Sequence, residues 1–195
     1  MRTINANMLS MASANQPGQK GWYVLQVVVG REKGVENALR EKNIVAYLPL
    51  ILGGKKLVRR RIVQCADRPA LPGYVMVSIA PSPAAFAGLA RVRHVEGIVG
   101  GTETPHCVND EDMSRFKAKL GEMEESAALA KEFRKDDWAT FDEGPFAGLR
   151  GCLVKVRKMV LIRGEKPVPV EGVVKFEIAG KAVFVPTPLA LLVKL

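Results

Sequence analysis

The chain has 195 residues, 48% of them hydrophobic, with 29 Lys and Arg against 20 Asp and Glu, a net charge of +9 and a pI near 9.6. That is room for one ordinary domain or two small ones with packed cores, and it excludes wholesale disorder; no stretch approaches the roughly 20 apolar residues of a membrane span. The cationic balance favours polyanionic partners, chiefly nucleic acid.

Residues 1–20 are polar and small, without the apolar centre of a secretory signal, and read as a disordered tail. Trp22–Val29, "WYVLQVVV", is aromatic and β-branched between two glycines and reads as a strand buried on both faces. Over Arg31–Asn43, Val35, Ala38 and Leu39 recur at helical spacing among charges, which predicts an amphipathic helix. Ile44–Leu52 reads as a strand broken by Pro49. A basic excursion follows, and Gly53–Arg61, "GGKKLVRRR", holds Lys55, Lys56, Arg59, Arg60 and Arg61. It reads as a projecting loop suited to phosphate attraction without sequence reading; the bland alternative is a solvated loop. Ten Lys and Arg stand against four Asp and Glu between Arg31 and Arg68, so the positive excess lies in the first half.

Gly73–Ala80 is a further strand. "PSPAAFAGLARVRHV" reads as a helix capped by Ser82 with Pro83 in its first turn, and "EGIVGG" as a short last strand. The order β-α-β-β-α-β predicts a ferredoxin-like antiparallel sheet with two helices on one face. From Asn109 the chain is helix-prone, with Met113, Phe116 and Leu120 at helical spacing. The part after Gly121 has few large apolar residues and reads as a charged linker, 121–137. After Trp138 five short apolar runs return without a helical pattern, which predicts a small all-β barrel over 138–195. The fold class expected is therefore α+β: a ferredoxin-like domain over 21–120, then an SH3-like barrel.

Nothing in the pattern points to catalysis, a cofactor or a metal. Cys65, Cys107 and Cys152 lie far apart, with only His94 and His106 beside them, in no ligand spacing. The cysteine usage suits a reduced, cytoplasmic setting.

"WYVLQVVVGREKGVENALRE", "LPGYVMV", "RVRHVEGIVGG" and "DEGPFAGLRGCLVKV" occur in this order at fitting spacings. Together they resemble the NusG family of transcription elongation factors, with an NGN-like first domain and a KOW-like barrel. The resemblance implies a non-enzymatic, monomeric, cytoplasmic factor that modulates pausing, termination or antitermination. It implies docking on the clamp helices of the largest RNA polymerase subunit. It also implies contact with non-template DNA or the nascent RNA backbone, and recruitment by the KOW domain of Rho or a ribosomal protein. On periodicity alone Leu71 and Tyr74 read as core. The resemblance makes Leu71, Pro72 and Tyr74, beside Tyr23, an apolar concavity for a helical partner. Arg31 and Lys33 extend the positive strip of the basic loop. In the tail, Gly144, Pro145, Phe146, Gly148 and Gly151 read as the structural turn that opens the barrel. The chain departs from the family pattern at Leu71, at Arg93 and His94, and at Ala179, where family members carry an aromatic turn residue. These departures suggest a specialised paralogue. The rival reading is a ribosome- or translation-associated RNA-binding KOW protein.

Overall fold

A computed structural model describes residues 20–51, 55–58, 61–64, 66–122, 133–160 and 168–195, those at 55–58, 62–64, 122, 157–160 and 168–170 as backbone only. Residues 1–19 of the expected tail, 1–20, and residues 123–132 of the expected linker lie outside them. No helix among the described residues is long and apolar enough to cross a membrane.

The main sheet is built from β1 (Gly21–Val27), β2 (Val45–Tyr47), β7 (Tyr74–Ile79) and β8 (Val95–Ile98), in the order β2-β7-β1-β8, all antiparallel. Helix α1 (Glu32–Arg40) joins β1 to β2, and α2 (Pro83–Leu89) joins β7 to β8. This is the expected ferredoxin-like arrangement. Pro49 breaks the second strand as expected, leaving β3 (Leu50–Ile51) beyond it, paired with β6 (Arg68–Pro69). Ser82 caps α2 by accepting from the Ala85 N–H at 3.1 Å. A short strand that the pattern did not reveal, β9 (Cys107–Val108), adds to β1 beside Trp22 and Tyr23.

The basic excursion is a correction. It is not simply a loop: β4 (Lys55–Val58) and β5 (Arg61–Gln64) pair antiparallel as a separate ladder. The reason lies between its cations, where Leu57, Val58, Ile62 and Val63 supply β-forming residues.

Two apolar sets alternate along β1 and β7 because successive side chains leave a strand on opposite sides. Tyr23, Leu25, Val27, Val75, Val77 and Ile79 join Val35, Leu39, Phe86 and Leu89 of the helices in one core. Trp22, Val24, Tyr74 and Met76 join the opposite core. That second core also contains Met113, Phe116 and Leu120 of α3 (Asp110–Glu122), and Phe141, Phe146, Phe176 and Leu191 of the tail. The tail sheet has β10 (Trp138–Phe141), β11 (Arg150–Val160), β12 (Val168–Ile178), β13 (Lys181–Pro188) and β14 (Leu192–Lys194), in the order β13-β12-β11-β10-β14. All five expected strands form.

Inside the tail sheet, Gly151 is a steric requirement. A Cβ built there would lie 2.6 Å from both Phe176 and Val174. Gly151→Ala is therefore expected to destabilise the chain by about 1–3 kcal/mol through overpacking. Urea unfolding of the full chain measures this, and an unchanged midpoint would show that the sheet can give way there.

Candidate docking surface and basic rim

The second face of the main sheet holds the candidate surface. Tyr74 and Leu71 are 2% and 0% exposed. The turn that delivers them is held from behind: the Gly73 N–H donates to the buried Glu32 carboxylate at 2.9 Å, and the Tyr74 N–H donates to Leu71 O at 3.2 Å. Gly73 has φ +87, a left-handed conformation in which a side chain is strained. Glu32 in the first turn of α1 thus positions the Leu71–Tyr74 segment at the head of β7.

What covers this face is the tail. The Tyr74 ring meets Phe146 edge-on at 5.5 Å, and its hydroxyl donates to Phe184 O at 3.0 Å. Phe146 in turn stacks on Phe176 at 5.9 Å and leans on Phe141 at 5.6 Å, so Tyr74 touches the aromatic centre of the tail sheet. Such an edge-to-face pair is worth about 0.5–1.5 kcal/mol beyond its buried area. Gly144, with φ +93, lets the tail press on α3, since a Cβ there would fall 2.6 Å from Phe116. His106 Nε2 lies 3.0 Å from Pro145 O, and Arg68 pairs with Glu171. Burial holds the His106 imidazole below its ordinary pKa, with the Pro145 carbonyl opposing.

The segment "DEGPFAGLRG" therefore does two things. Its turns, Ala147 N–H to Gly144 O and Gly148 N–H to Phe141 O, shape the entry to β11. Its Gly144–Phe146 part is also the tail's contact with Phe116, His106 and Tyr74.

Not every candidate comes together. Leu71 and Tyr74 share the tail-facing core, and the half-buried Pro72 lines a small cleft with Arg68, Glu171 and Pro186. Tyr23 is on the opposite face, edge-on to Phe86 of α2 at 4.9 Å, so it cannot share a concavity with Tyr74. The β1 aromatic that does face the tail side is Trp22. Its Nε1 donates to Asp110 Oδ1 at 2.9 Å, and Lys117 Nζ sits 4.3 Å from its ring centre. Period-two alternation in "WYVLQV" carries this signal: Gln26 opposes Tyr74 in the ladder, and Trp22 and Val24 share its side. His106, Phe184, Arg68 and Glu171 carried no comparable signal, and the helical spacing of Phe116 marked it as core without showing its partner.

Of the basic candidates, Arg31 and Arg61 are exposed. Lys55 and Lys56 lie in β4, described as backbone, and Arg59 and Arg60 fall outside the described residues. Arg31 stands at the N-cap of α1 without a side-chain cap. Gly148 is exposed with φ +74, whereas Gly144, Pro145, Phe146 and Gly151 are buried.

Comparison with known proteins adds the following. The family model described as "Transcription termination factor nusG" matches residues 20–117. The chain is similar to a "Transcription termination/antitermination protein NusG" of Yersinia pestis, 25% identical over 146 residues that cover 71% of this chain and 81% of that one. A protein of the same description from Vibrio cholerae serotype O1 is also 25% identical over 146 residues, covering 71% and 80%. Among solved structures, one titled "Domain interaction in Thermotoga maritima NusG" is 23% identical, covers 91% of this chain and 98% of that one, and has a TM-score of 0.43.

The burial of the tyrosines leads to a pH test. Burial pushes the Tyr74 and Tyr23 phenols up to about 12, with Glu96 and Cys107 adding to the respective effects, and raises Tyr47 as well. These are the chain's three tyrosines. Tyr23 and Tyr74 bind their protons more tightly folded than unfolded, so their contribution to stability is full below about pH 10 and is lost as the pH rises towards about 12; Tyr47 acts in the same direction. Ultraviolet titration of the folded chain should leave Tyr23 and Tyr74 protonated around pH 10, so that most of the tyrosinate signal appears at higher pH. A full tyrosine step there would contradict the packing described.

Proposed function

The chain belongs to the NusG family of transcription termination factors, regulators and not enzymes, and on that premise we propose that it docks on RNA polymerase through the sheet face around Leu71, Pro72 and Tyr74. The partner surface proposed is the pair of clamp helices of the largest subunit. A helical partner laid on an apolar sheet face would bury the surface that the tail now buries. The basic hairpin holds the backbone of non-template DNA or nascent RNA while the sheet holds polymerase. The tail, once released, is the element that recruits a further partner, Rho or a ribosomal protein.

The observation that supports this reading is who covers Tyr74. Its ring and its hydroxyl are both satisfied by the tail sheet, whose Phe146 and Phe184 lie 72 and 110 residues further along the chain, and not by its own helices. A surface covered by a separately built sheet can be uncovered without unfolding either sheet. In this arrangement docking and tail contact compete for the same residues, so the apparent affinity for polymerase is reduced by the fraction of molecules that are closed.

The test uses full-length chain and purified polymerase. Glu171→Arg places a like charge before Arg68, outside the docking face, and is expected to raise polymerase affinity by loosening the closed form. Tyr74→Ala in that background should weaken binding at least about 30-fold, the loss of an interface anchor worth 2 kcal/mol. Equal affinity for Tyr74→Ala and its parent, with unchanged circular dichroism, would remove this face from the docking model.

A further inference from the structure

The tail meets the first domain through three consecutive residues, and the middle one faces a histidine. Gly144 presses on Phe116, Phe146 meets the Tyr74 ring, and between them the carbonyl of the buried Pro145 lies 3.0 Å from His106 Nε2. A carbonyl only accepts, so Nε2 is the donor and carries the proton of the neutral ring. A further proton would have to enter at Nδ1, and the ring would become a cation in a half-buried place. The backbone that carries the ring is fixed to the first domain. The His106 N–H donates to Val99 O at 2.9 Å, and the following Cys107 pairs with Tyr23 in the main sheet. Ahead of it the chain turns tightly: a Cβ on Gly100, which has φ +87, would lie 2.4 Å from Thr104 O and 2.7 Å from His106 N. The ring therefore stays with the main sheet when the tail moves.

Arg68 with Glu171, and the Tyr74 hydroxyl with Phe184 O, also bridge the boundary. Guanidinium, carboxylate and phenol ordinarily keep one charge state between pH 5 and 8, whereas an imidazole changes charge there. The titratable neighbours of His106 are Glu103 and Cys107 on its own segment and Asp142, Glu143 and Lys181 on the tail; α3 meets the same stretch of tail through the apolar Phe116. What acts on the imidazole is its burial, which favours the neutral ring, opposed by the Pro145 carbonyl, which favours the charged one. Burial is the larger, and none of those neighbours adds to either effect. The ring's pKa thus lies below its ordinary 6.5 while the tail is in place, and returns towards that value when the tail leaves and water reaches both nitrogens. The tail contact is at full strength above about pH 6.5 and weakens as the pH falls from there towards the lower value of the closed form.

We propose that His106 is a proton-operated latch of the tail: the neutral imidazole holds the Pro145 turn on the first domain, and protonation releases it. The latch rests on the reading above, in which the tail leaves the sheet face, and names what loosens it. Release takes up a proton at Nδ1, so acid and opening favour one another by the same factor. For a single site that factor is at most about tenfold per pH unit. Phe116 carries no charge, and the Tyr74 phenol titrates only near about 12. The apolar contacts on either side of His106 therefore set how far the chain is closed, and the imidazole sets how that changes with acid.

The experiment is NMR of the full-length chain between about pH 7.5 and about pH 5.5, without polymerase, following the imidazole signals and the Gly144 amide. His94 is the chain's other histidine, and His94→Gln assigns the two imidazoles. The open-to-closed ratio read at Gly144 should rise severalfold on acidification, in step with protonation of His106 and by at most about tenfold per pH unit. His106→Gln keeps an N–H donor for Pro145 O and cannot take the charge, so its ratio should stay flat, whereas His94→Gln should behave like the parent. If the parent stays equally closed while its His106 imidazole titrates, or if His106→Gln opens with acid as the parent does, the latch is overturned. If His106→Gln is open throughout or fails to fold, the parent decides alone: opening that titrates together with the His106 imidazole supports the latch, and opening at a separate pH overturns it. Because polymerase is absent, failure here is distinct from failure of the docking face, which the Tyr74→Ala comparison tests.

Discussion

The main sheet is apolar on both faces, and everything else follows from that. Along β1 and β7, Tyr23, Leu25, Val75 and Val77 face one way and Trp22, Val24, Tyr74 and Met76 the other, all of them buried. Two helices can cover one side of a ferredoxin-like sheet, and here α1 and α2 do so. The other side would leave an aromatic and aliphatic surface in water, which is unfavourable by roughly 25 cal/mol per Å². Part of the cover comes from α3, clipped by the Trp22–Asp110 hydrogen bond and by Lys117 over the Trp22 and Tyr47 rings. The tail sheet supplies the rest.

A cover that is itself a sheet with its own core has a different character from a helix of the same domain. Phe141, Phe146 and Phe176 pack on one another, and of the three only Phe146 has a ring contact with Tyr74, so the centre of the tail is built from its own side chains. Among the described residues the polar contacts at the boundary include Tyr74 with Phe184, His106 with Pro145 and Arg68 with Glu171. Arg68 and Glu171 are partly exposed, at 46% and 21% of their side chains, and a pair of that kind holds with about 0–1 kcal/mol at most. The boundary therefore depends on the apolar contacts around Tyr74 and Phe116, with Gly144 allowing the close approach. A surface held mainly by apolar contact is one that another apolar partner can displace.

Buried carboxylates do the positioning elsewhere. Glu32 and Glu36 lie one turn apart on the inner side of α1, where an amphipathic pattern alone would place aliphatics. Glu32 accepts from Gly73 N–H, and Glu36 from Leu48 N–H while pairing with Arg40. Each spends its charge on a backbone donor in a connecting segment, so both segments leaving the sheet end, towards the hairpin and towards Tyr74, are fixed to the same helix. The basic hairpin and the Leu71–Tyr74 turn thus share one support.

The order of elements, the ferredoxin-like class and the five strands of the tail were legible in the sequence, because period-two and helical patterns, Ser82 before Pro83 and the break at Pro49 act within a few residues. The ladder in the basic excursion was hidden because its cations masked the β-branched residues between them. The candidate site was half legible: Leu71 and Tyr74 stand out at the head of a strand, but Tyr23 shares its composition with Trp22, and only the register of β1 against β7 decides which of the two faces the tail. The contact of Tyr74 with Phe146 and Phe184, of Arg68 with Glu171 and of His106 with Pro145 joins residues 39 to 110 apart in sequence. No local pattern encodes such pairs, since each side chain would be equally at home in its own domain's surface or core. The tertiary structure decided them, because only the packing of two finished sheets determines which apolar face each one covers.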